Sequence, residues 1–194
     1  GRVLDIGGGW GLFRKFWRTE GDACFTVHDP GAERFTVPPP ETLQRHFGDG
    51  LARPAWFVEG FGEQLPYQDA SYDLVMIASA LDHCAEPPRV LAEARRVLRP
   101  GGTLLLIQGF DHEEGQPRPQ GRSFLERLGR LLADPRRLHR AIRQRLFHRG
   151  EPHMHHFTRA SLRAMVEAAG YAGYAETVIS ERFGVLGIEA RKAG

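Results

Sequence analysis

VLDIGGGWG, residues 3–11, joins a short apolar run to a turn in which glycines 7, 9 and 11 alternate with other residues after an acidic one. The run Arg2–Ile6 suits a buried parallel strand, since such strands are apolar on both faces. Gly7, Gly8, Gly9 and Gly11 let the backbone turn sharply and pass close to a bound molecule, more freedom than a plain strand–helix turn needs. GLFRKFWRT, residues 11–19, follows with apolar positions at helical spacing. Strand, glycine turn and helix make the opening unit of an open α/β sheet. Ligands of such sheets sit at the carboxyl ends of the strands.

Reading outward, β-rich runs and helical runs alternate. Ala23–His28 (ACFTVH) reads as a second strand, Ala55–Glu59 (AWFVE) as a third and Tyr72–Ala78 (YDLVMIA) as a fourth. Residues 38–40 are a proline loop, and Glu41–Phe47 is a short helix. Pro87–Leu98 has helical periodicity, stopped by Pro100-Gly101-Gly102, and Thr103–Gln108 (TLLLIQ) is a fifth strand. Thr158–Ala169 gives a last helix with Thr158 as its cap. Tyr174–Ser180 and Phe183–Ala190 then face each other across a tight turn, so they must pair antiparallel, because parallel neighbours need a long crossover. The pattern predicts an α/β, doubly wound, mostly parallel seven-stranded sheet finished by an antiparallel hairpin.

Between strand five and the last helix lies an insertion, Phe110–His156. Two amphipathic stretches in it, SFLERLGRLLA and RRLHRAIRQRLF, are broken at Asp134-Pro135. They predict a helical lid over the ligand-binding edge. The insertion is rich in Arg from Arg118 to Arg149. That charge reads first as a solvated outer face; the sharper readings are an anionic substrate or a peripheral membrane surface.

At 194 residues the chain is one domain's worth, and a formal charge of +2 gives no nucleic-acid signature. No run approaches a membrane span and no signal peptide precedes the first motif. The two cysteines, Cys24 and Cys84, fit a reducing cytoplasm and read as core residues. Beginning without Met, inside a core strand, implies a further segment upstream.

The dinucleotide fingerprint G-x-G-x-x-G, started at Gly7, requires glycine at position 12, which is Leu12. Asp5-x-Gly7-x-Gly9-x-Gly11 stands instead, without the glycine that supports close packing around a pyrophosphate. In five blocks the sequence resembles the class I S-adenosylmethionine-dependent methyltransferases, with their Rossmann-like fold. The blocks are VLDIGGGWG, FTVHDP, FVEGFGEQLPYQDASYDLVMIASALDHC, LAEARRVLRPGGTLLL and HMHHFTRASLRAMVEAAGY, in family order.

The resemblance implies cofactor contacts from Asp5, Gly7, Gly8, Gly9 and Gly11. Asp29, beside Pro30, is implied to take the ribose hydroxyls, for which paired carboxylate acceptors are suited. In the adenine loop an acidic residue is often found directly after the glycine; here Gly60 is followed by Phe61, Gly62 and Glu63. Phe61 is free to stack on the base, leaving backbone groups or Glu63 to read its edge. Ala78 and Ser79 come at the end of strand four, and Asp73 reads as structural.

Methyl transfer is an in-line displacement, so the protein chiefly aligns the nucleophile and excludes water. A base helps if the acceptor still carries its proton. His83 and His155 are the candidate catalytic residues, with His153 a third candidate. Glu151, His153, His155 and His156 with Asp111 and His112 raise a metal site. They have neither Cys partners nor helical His spacing, so none is expected. The Asn/Asp-Pro-Pro-aromatic motif of base-amine methyltransferases is replaced by ASAL. The expectation is methylation of a small molecule, first on oxygen, as in a natural product, sugar or lipid-like metabolite. Carbon or nitrogen acceptors, or a catalytically silent cofactor-binding subunit, are the alternatives.

Overall fold

The computed structural model describes residues 1–16, 23–35, 38–111 and 154–194. Seven strands form one sheet: β1 (Arg2–Ile6), β2 (Cys24–Asp29), β3 (Ala55–Glu59), β4 (Tyr72–Ala78), β5 (Leu98–Gly109), β6 (Tyr171–Ser180) and β7 (Val185–Lys192). Their order is β3-β2-β1-β4-β5-β7-β6. β1 pairs in parallel with β2 on one side and β4 on the other, which puts the topological switch point at the end of the glycine-bearing strand. β7 lies antiparallel between β5 and β6, as the tight C-terminal turn requires.

Three α-helices are seen among the described residues: α1 (Glu41–Leu51), α2 (Pro87–Val97) and α3 (Arg159–Ala168). Leu4 and Ile6 of β1 lie level with Val75 and Ile77 of β4, which lie level in turn with Leu104 and Leu106 of β5. The same buried cluster takes in Val90, Leu91, Ala94 and Val97 of α2 and Leu162 and Val166 of α3. With buried Pro87, the α2 residues Val90, Leu91 and Ala94 fall at i, i+3, i+4 and i+7, which makes α2 amphipathic. Each fully buried Leu there contributes about 2 kcal/mol. α3 starts at a reciprocal cap: Thr158 Oγ1 accepts the Ser161 N–H at 3.1 Å, and Ser161 Oγ accepts the Thr158 N–H at 2.9 Å.

The structure corrects several local readings. Of the helix expected over residues 11–19, residues 11–16 are described, and Leu12–Phe16 is a 3-10 turn. α1 runs on to Leu51, four residues beyond the expected end. Pro100-Gly101-Gly102 does not mark the helix end: α2 stops at Val97, because Leu98 is already extended and paired with Tyr72. The turn is then accommodated as a register shift inside β5, with Gly101 at φ 74°. β6 begins at Tyr171, not Tyr174. Gly170 takes a left-handed φ of 83°, closing α3, and Tyr171 plugs into the core with its OH donating to the Leu91 carbonyl. Cys24 is exposed at the start of β2 and is not a core residue; Cys84 is half buried and packs against the core. The amphipathic and Arg-rich stretches, with His112, Glu151 and His153, lie outside the described residues. No helix among the described residues is long and apolar enough to cross a membrane.

Candidate active site

A cavity of about 1000 Å³ opens at the carboxyl ends of β1, β2 and β4. Gly7 of the glycine turn lies in its lining. Gly7 donates its N–H to the His28 carbonyl at 2.8 Å and has φ 68°, and a Cβ on it would stand 2.4 Å from that of Ala80. A Cβ on Gly8 would fall 2.4 Å from the Asp5 carboxylate. Both positions therefore exclude a side chain, Gly7 by conformation as well as by space.

Asp5 is buried beneath this turn, and its Oδ1 has no hydrogen-bond partner among the described residues. Burial, then the nearby Asp29 carboxylate, pushes its pKa up to about 7, against a smaller opposing pull from Arg14. An orphaned buried carboxyl under a ligand-binding turn is a place for a cationic donor. Arg14 is the turn's strut. Its guanidinium donates to the carbonyls of Gly11 at 2.9 Å and Trp10 at 2.8 Å, and to that of Arg53. Nothing in the sequence marks Arg14, because one Arg in an apolar-periodic run looks like a solvated position.

Asp29 ends β2 at the cavity wall. Its two oxygens accept the N–H groups of Gly9 at 3.1 Å and Gly31 at 2.8 Å. Each oxygen keeps a further lone pair for a diol. Next along the wall comes the loop Gly60–Glu63, with the Phe61 ring 68% exposed at the rim. A Cβ on Gly62 would press on Ile6 and Val90, so the loop lies flat against the sheet end. Glu63 is engaged away from the base edge expected of it: Oε1 accepts the N–H groups of Ala85 at 2.7 Å and Glu86 at 3.2 Å, at the entry to α2.

The loop's far side is held by Arg96 of α2. It donates to the carbonyls of Tyr67 at 2.7 Å and Leu65 at 2.9 Å, and pairs with Asp69 and Glu93. Glu93 in turn accepts the Leu65 N–H at 2.9 Å. The side-chain bond to Arg96 chiefly holds the Glu93 carboxyl below its ordinary pKa.

Ser79, with φ 50°, and His83 line the opposite wall. A non-glycine residue at positive φ is a strained conformation of the kind that gathers at functional sites. The Asp82 carbonyl accepts the N–H groups of Met154 at 2.8 Å and His155 at 3.2 Å, bringing the segment before α3 onto the turn that carries His83. Met154 reaches the cavity from there. His155 is not among the lining residues; its ring stacks on Phe157. His156 pairs instead with Asp111, Nδ1 to Oδ2 at 3.1 Å. Burial pushes the Cys84 thiol up to about 12, so it stands at the wall as a neutral thiol. No group of three or more metal-ligating side chains is found among the described residues.

The protein family described as "Methyltransferase domain" matches residues 4–106, from the glycine strand through β5. The chain belongs to the class I S-adenosylmethionine-dependent methyltransferases. A ubiquinone/menaquinone biosynthesis C-methyltransferase of Methylobacterium nodulans is 32% identical over 186 residues, covering 92% of this chain and 69% of that one. One of the same description from Hahella chejuensis is 39% identical over 108 residues, covering 55% of this chain and only 42% of its own length. The chain thus spans from about two fifths to about two thirds of these relatives. The crystal structure of the Burkholderia thailandensis 1,6-didemethyltoxoflavin-N1-methyltransferase, with S-adenosylhomocysteine bound, superposes with a TM-score of 0.60. At 19% identity it covers all of this chain and 71% of that one.

The methyltransferase cofactor fits the groups described. The Asp29 carboxylate would suit its ribose diol and the slot at Phe61 and Gly62 its base, while the unpartnered Oδ1 of Asp5, beneath the turn, would suit its ammonium. Of the residues singled out from sequence, Gly7, Asp29, Pro30, Phe61, Gly62, Glu63, Ser79 and His83 line one cavity. Asp5, Gly8, Gly9, Gly11 and Ala78 stand outside that lining; Asp5 and Gly9 act on it through the turn and through Asp29.

Proposed function

We propose that this methyltransferase domain transfers the methyl group of S-adenosylmethionine to a carbon atom of a small, largely apolar acceptor. The observation that carries this is the 32% identity to a C-methyltransferase across 92% of the chain, which includes the segment before α3 that reaches the acceptor side of the cavity. When bound, the cofactor supplies a sulfonium-activated methyl whose leaving thioether needs no acid.

The remaining work falls to the protein. Asp29 and the glycine turn fix the nucleoside, and Asp5 takes the ammonium. Ala80, Met154 and the neutral Cys84 give the acceptor an apolar wall and exclude water. His83, on the same wall, is positioned to take the acceptor's proton, which an electron-rich ring must shed to present a carbon nucleophile.

Oxygen methylation is the second reading, because the same histidine would serve a hydroxyl. Incubation with S-adenosylmethionine carrying a ¹³C methyl, and a panel of phenols, quinols and sugars, separates them. The carbon shift of the transferred methyl distinguishes C-, N- and O-bound products. A product labelled only on oxygen overturns the carbon assignment; the unlabelled return of every acceptor overturns the enzyme reading.

A further inference from the structure

His28 is fully buried at the end of β2, yet it is polar on every side that matters. Its carbonyl accepts the N–H of Gly7 in the glycine turn at 2.8 Å. Its ring Nε2 meets the carbonyl of Phe61 at 3.3 Å, and its Nδ1 meets the Tyr67 hydroxyl at 3.1 Å. It is also the immediate neighbour of Asp29. One residue therefore touches the glycine turn and both ends of the adenine loop, and adjoins the ribose acid.

We propose that His28 is a positioning residue that sets the Phe61–Gly62 backbone at the height from which it reads the edge of the cofactor's base. This rests on the assignment of that loop to the base in the proposed function.

The chemistry of the partners decides the ring's tautomer. A carbonyl only accepts, so Nε2 carries the proton and donates to Phe61; bare Nδ1 then accepts from the Tyr67 hydroxyl. Burial lowers the pKa of the ring, which keeps this neutral form. The Phe61 hydrogen bond and then Asp29 on its own strand pull the other way, and Tyr67 and Tyr72 are the titratable groups packed edge-on beyond it.

Tyr67 does not drift, because it packs edge-on against Tyr72, whose OH donates to Thr26 Oγ1 on β2. Gly60 completes the arrangement. A Cβ there would stand 2.6 Å from His28 Cε1, so the imidazole occupies the space that any other residue at position 60 would need. The edge of the imidazole thus limits how closely the loop approaches the sheet at Gly60. The buried ring N–H must find an acceptor, and the acceptor it finds is the loop carbonyl of Phe61.

The experiment measures dissociation constants of S-adenosylhomocysteine and of S-inosylhomocysteine, in which oxygen replaces the base's amine. The parent chain, His28→Leu and His28→Gln are compared by calorimetry. The parent should prefer the adenine compound. His28→Leu should weaken it about tenfold, the loss expected for one buried hydrogen bond, and weaken the inosine compound much less, collapsing the preference. His28→Gln, whose amide can donate to Phe61, should restore most of it. Tyr67→Phe, which keeps the ring volume, should give a smaller loss of the same preference and serves as the deciding variant if His28→Leu does not fold.

A preference unchanged in His28→Leu, or in Tyr67→Phe where the first does not fold, overturns the proposal, as does a parent that binds both compounds equally. Equal weakening of both compounds reduces His28 to a structural residue. A parent that binds neither compound defeats the functional reading itself, and so is told apart from failure of this inference.

Discussion

The Asp29 carboxylate accepts the backbone N–H of Gly9 at 3.1 Å, across 20 residues of chain and between two different strand ends. Its other oxygen accepts from Gly31 at 2.8 Å. The group expected to meet the ribose is therefore also the tie between the turn after β1 and the turn after β2. Charge-assisted bonds of this kind are the stronger ones, and they fix the carboxylate's direction before any ligand arrives. Binding and loop order should fail together here.

Asp29→Ala should accordingly weaken S-adenosylhomocysteine by about 2 kcal/mol or more and also lower the melting temperature. Asp29→Asn keeps one acceptor and should fall between. Calorimetry and thermal melts on the three proteins test this. Unchanged affinity in the alanine variant would remove Asp29 from the ribose.

Asp5 gives a pH signature. Its folded pKa is raised to about 7 from an ordinary value of 3.8, chiefly by burial. Between those values the folded state holds a proton that the unfolded state has released. Stability from this group is therefore fully present below the lower value and is lost as pH rises to about 7, at no more than about 1.4 kcal/mol per unit. Asp5→Asn should flatten that slope in urea melts taken across the window. Binding of a ligand ammonium at Asp5 should expel the proton, so calorimetry of S-adenosylhomocysteine at pH 6 in buffers of different ionisation enthalpy should register proton release. The variant should register less. Identical proton counts in the two proteins would detach Asp5 from the ammonium.

The sequence carried the sheet well because its signals were local. TLLLIQ and YDLVMIA are apolar runs that only a buried strand explains, and Thr158 announces a helix start by its own chemistry. The glycine turn was legible for the same reason, since four glycines around Asp5 imply close approach. What stayed hidden depends on partners distant in sequence. His28 looked like one strand residue among others until Phe61, 33 residues on, met its ring. Nothing local in the helical run marks Arg96, although its guanidinium reaches back to Leu65 and Tyr67. Glu63 was weighed against the base because the family pattern put it near, but spacing could not foresee the N–H pair of Ala85 and Glu86. His155 and His83 are equally good bases by residue type; only the fold turns His155 onto Phe157.

Arg96→Ala should show how far the adenine loop depends on α2. The variant leaves the Leu65 and Tyr67 carbonyls without their donor and removes a network of two carboxylates. A network with this geometry is worth more than an isolated surface pair, and a loss of about 2 kcal/mol is expected. Arg96→Lys should recover only part of it, because one ammonium cannot span both carbonyls. Urea melts give the stability, and S-adenosylhomocysteine titration should show affinity falling alongside. Full stability in the alanine variant would mean that the loop is held by other contacts.

His83 is where the proposed chemistry is most exposed to refutation. It lines the cavity beyond Ser79, with its Nε2 4.0 Å from the largely buried Asp82 carboxylate. Asp82 is itself held in place, because its carbonyl takes the Met154 and His155 N–H groups. Replacing the base should cost about 10²–10⁴ in turnover, while the cofactor-side contacts of Asp29 and Phe61 are untouched. His83→Ala should therefore lose methyl transfer at saturating cofactor and keep its affinity for S-adenosylhomocysteine. His155→Ala, altering a ring that stacks outside the cavity, should lose little turnover. Single-turnover transfer of a labelled methyl, run with a binding isotherm on each protein, separates the outcomes. Full turnover in His83→Ala would leave alignment alone as the catalyst, and a deep loss confined to His155→Ala would move the base to the other side of the Asp82 turn.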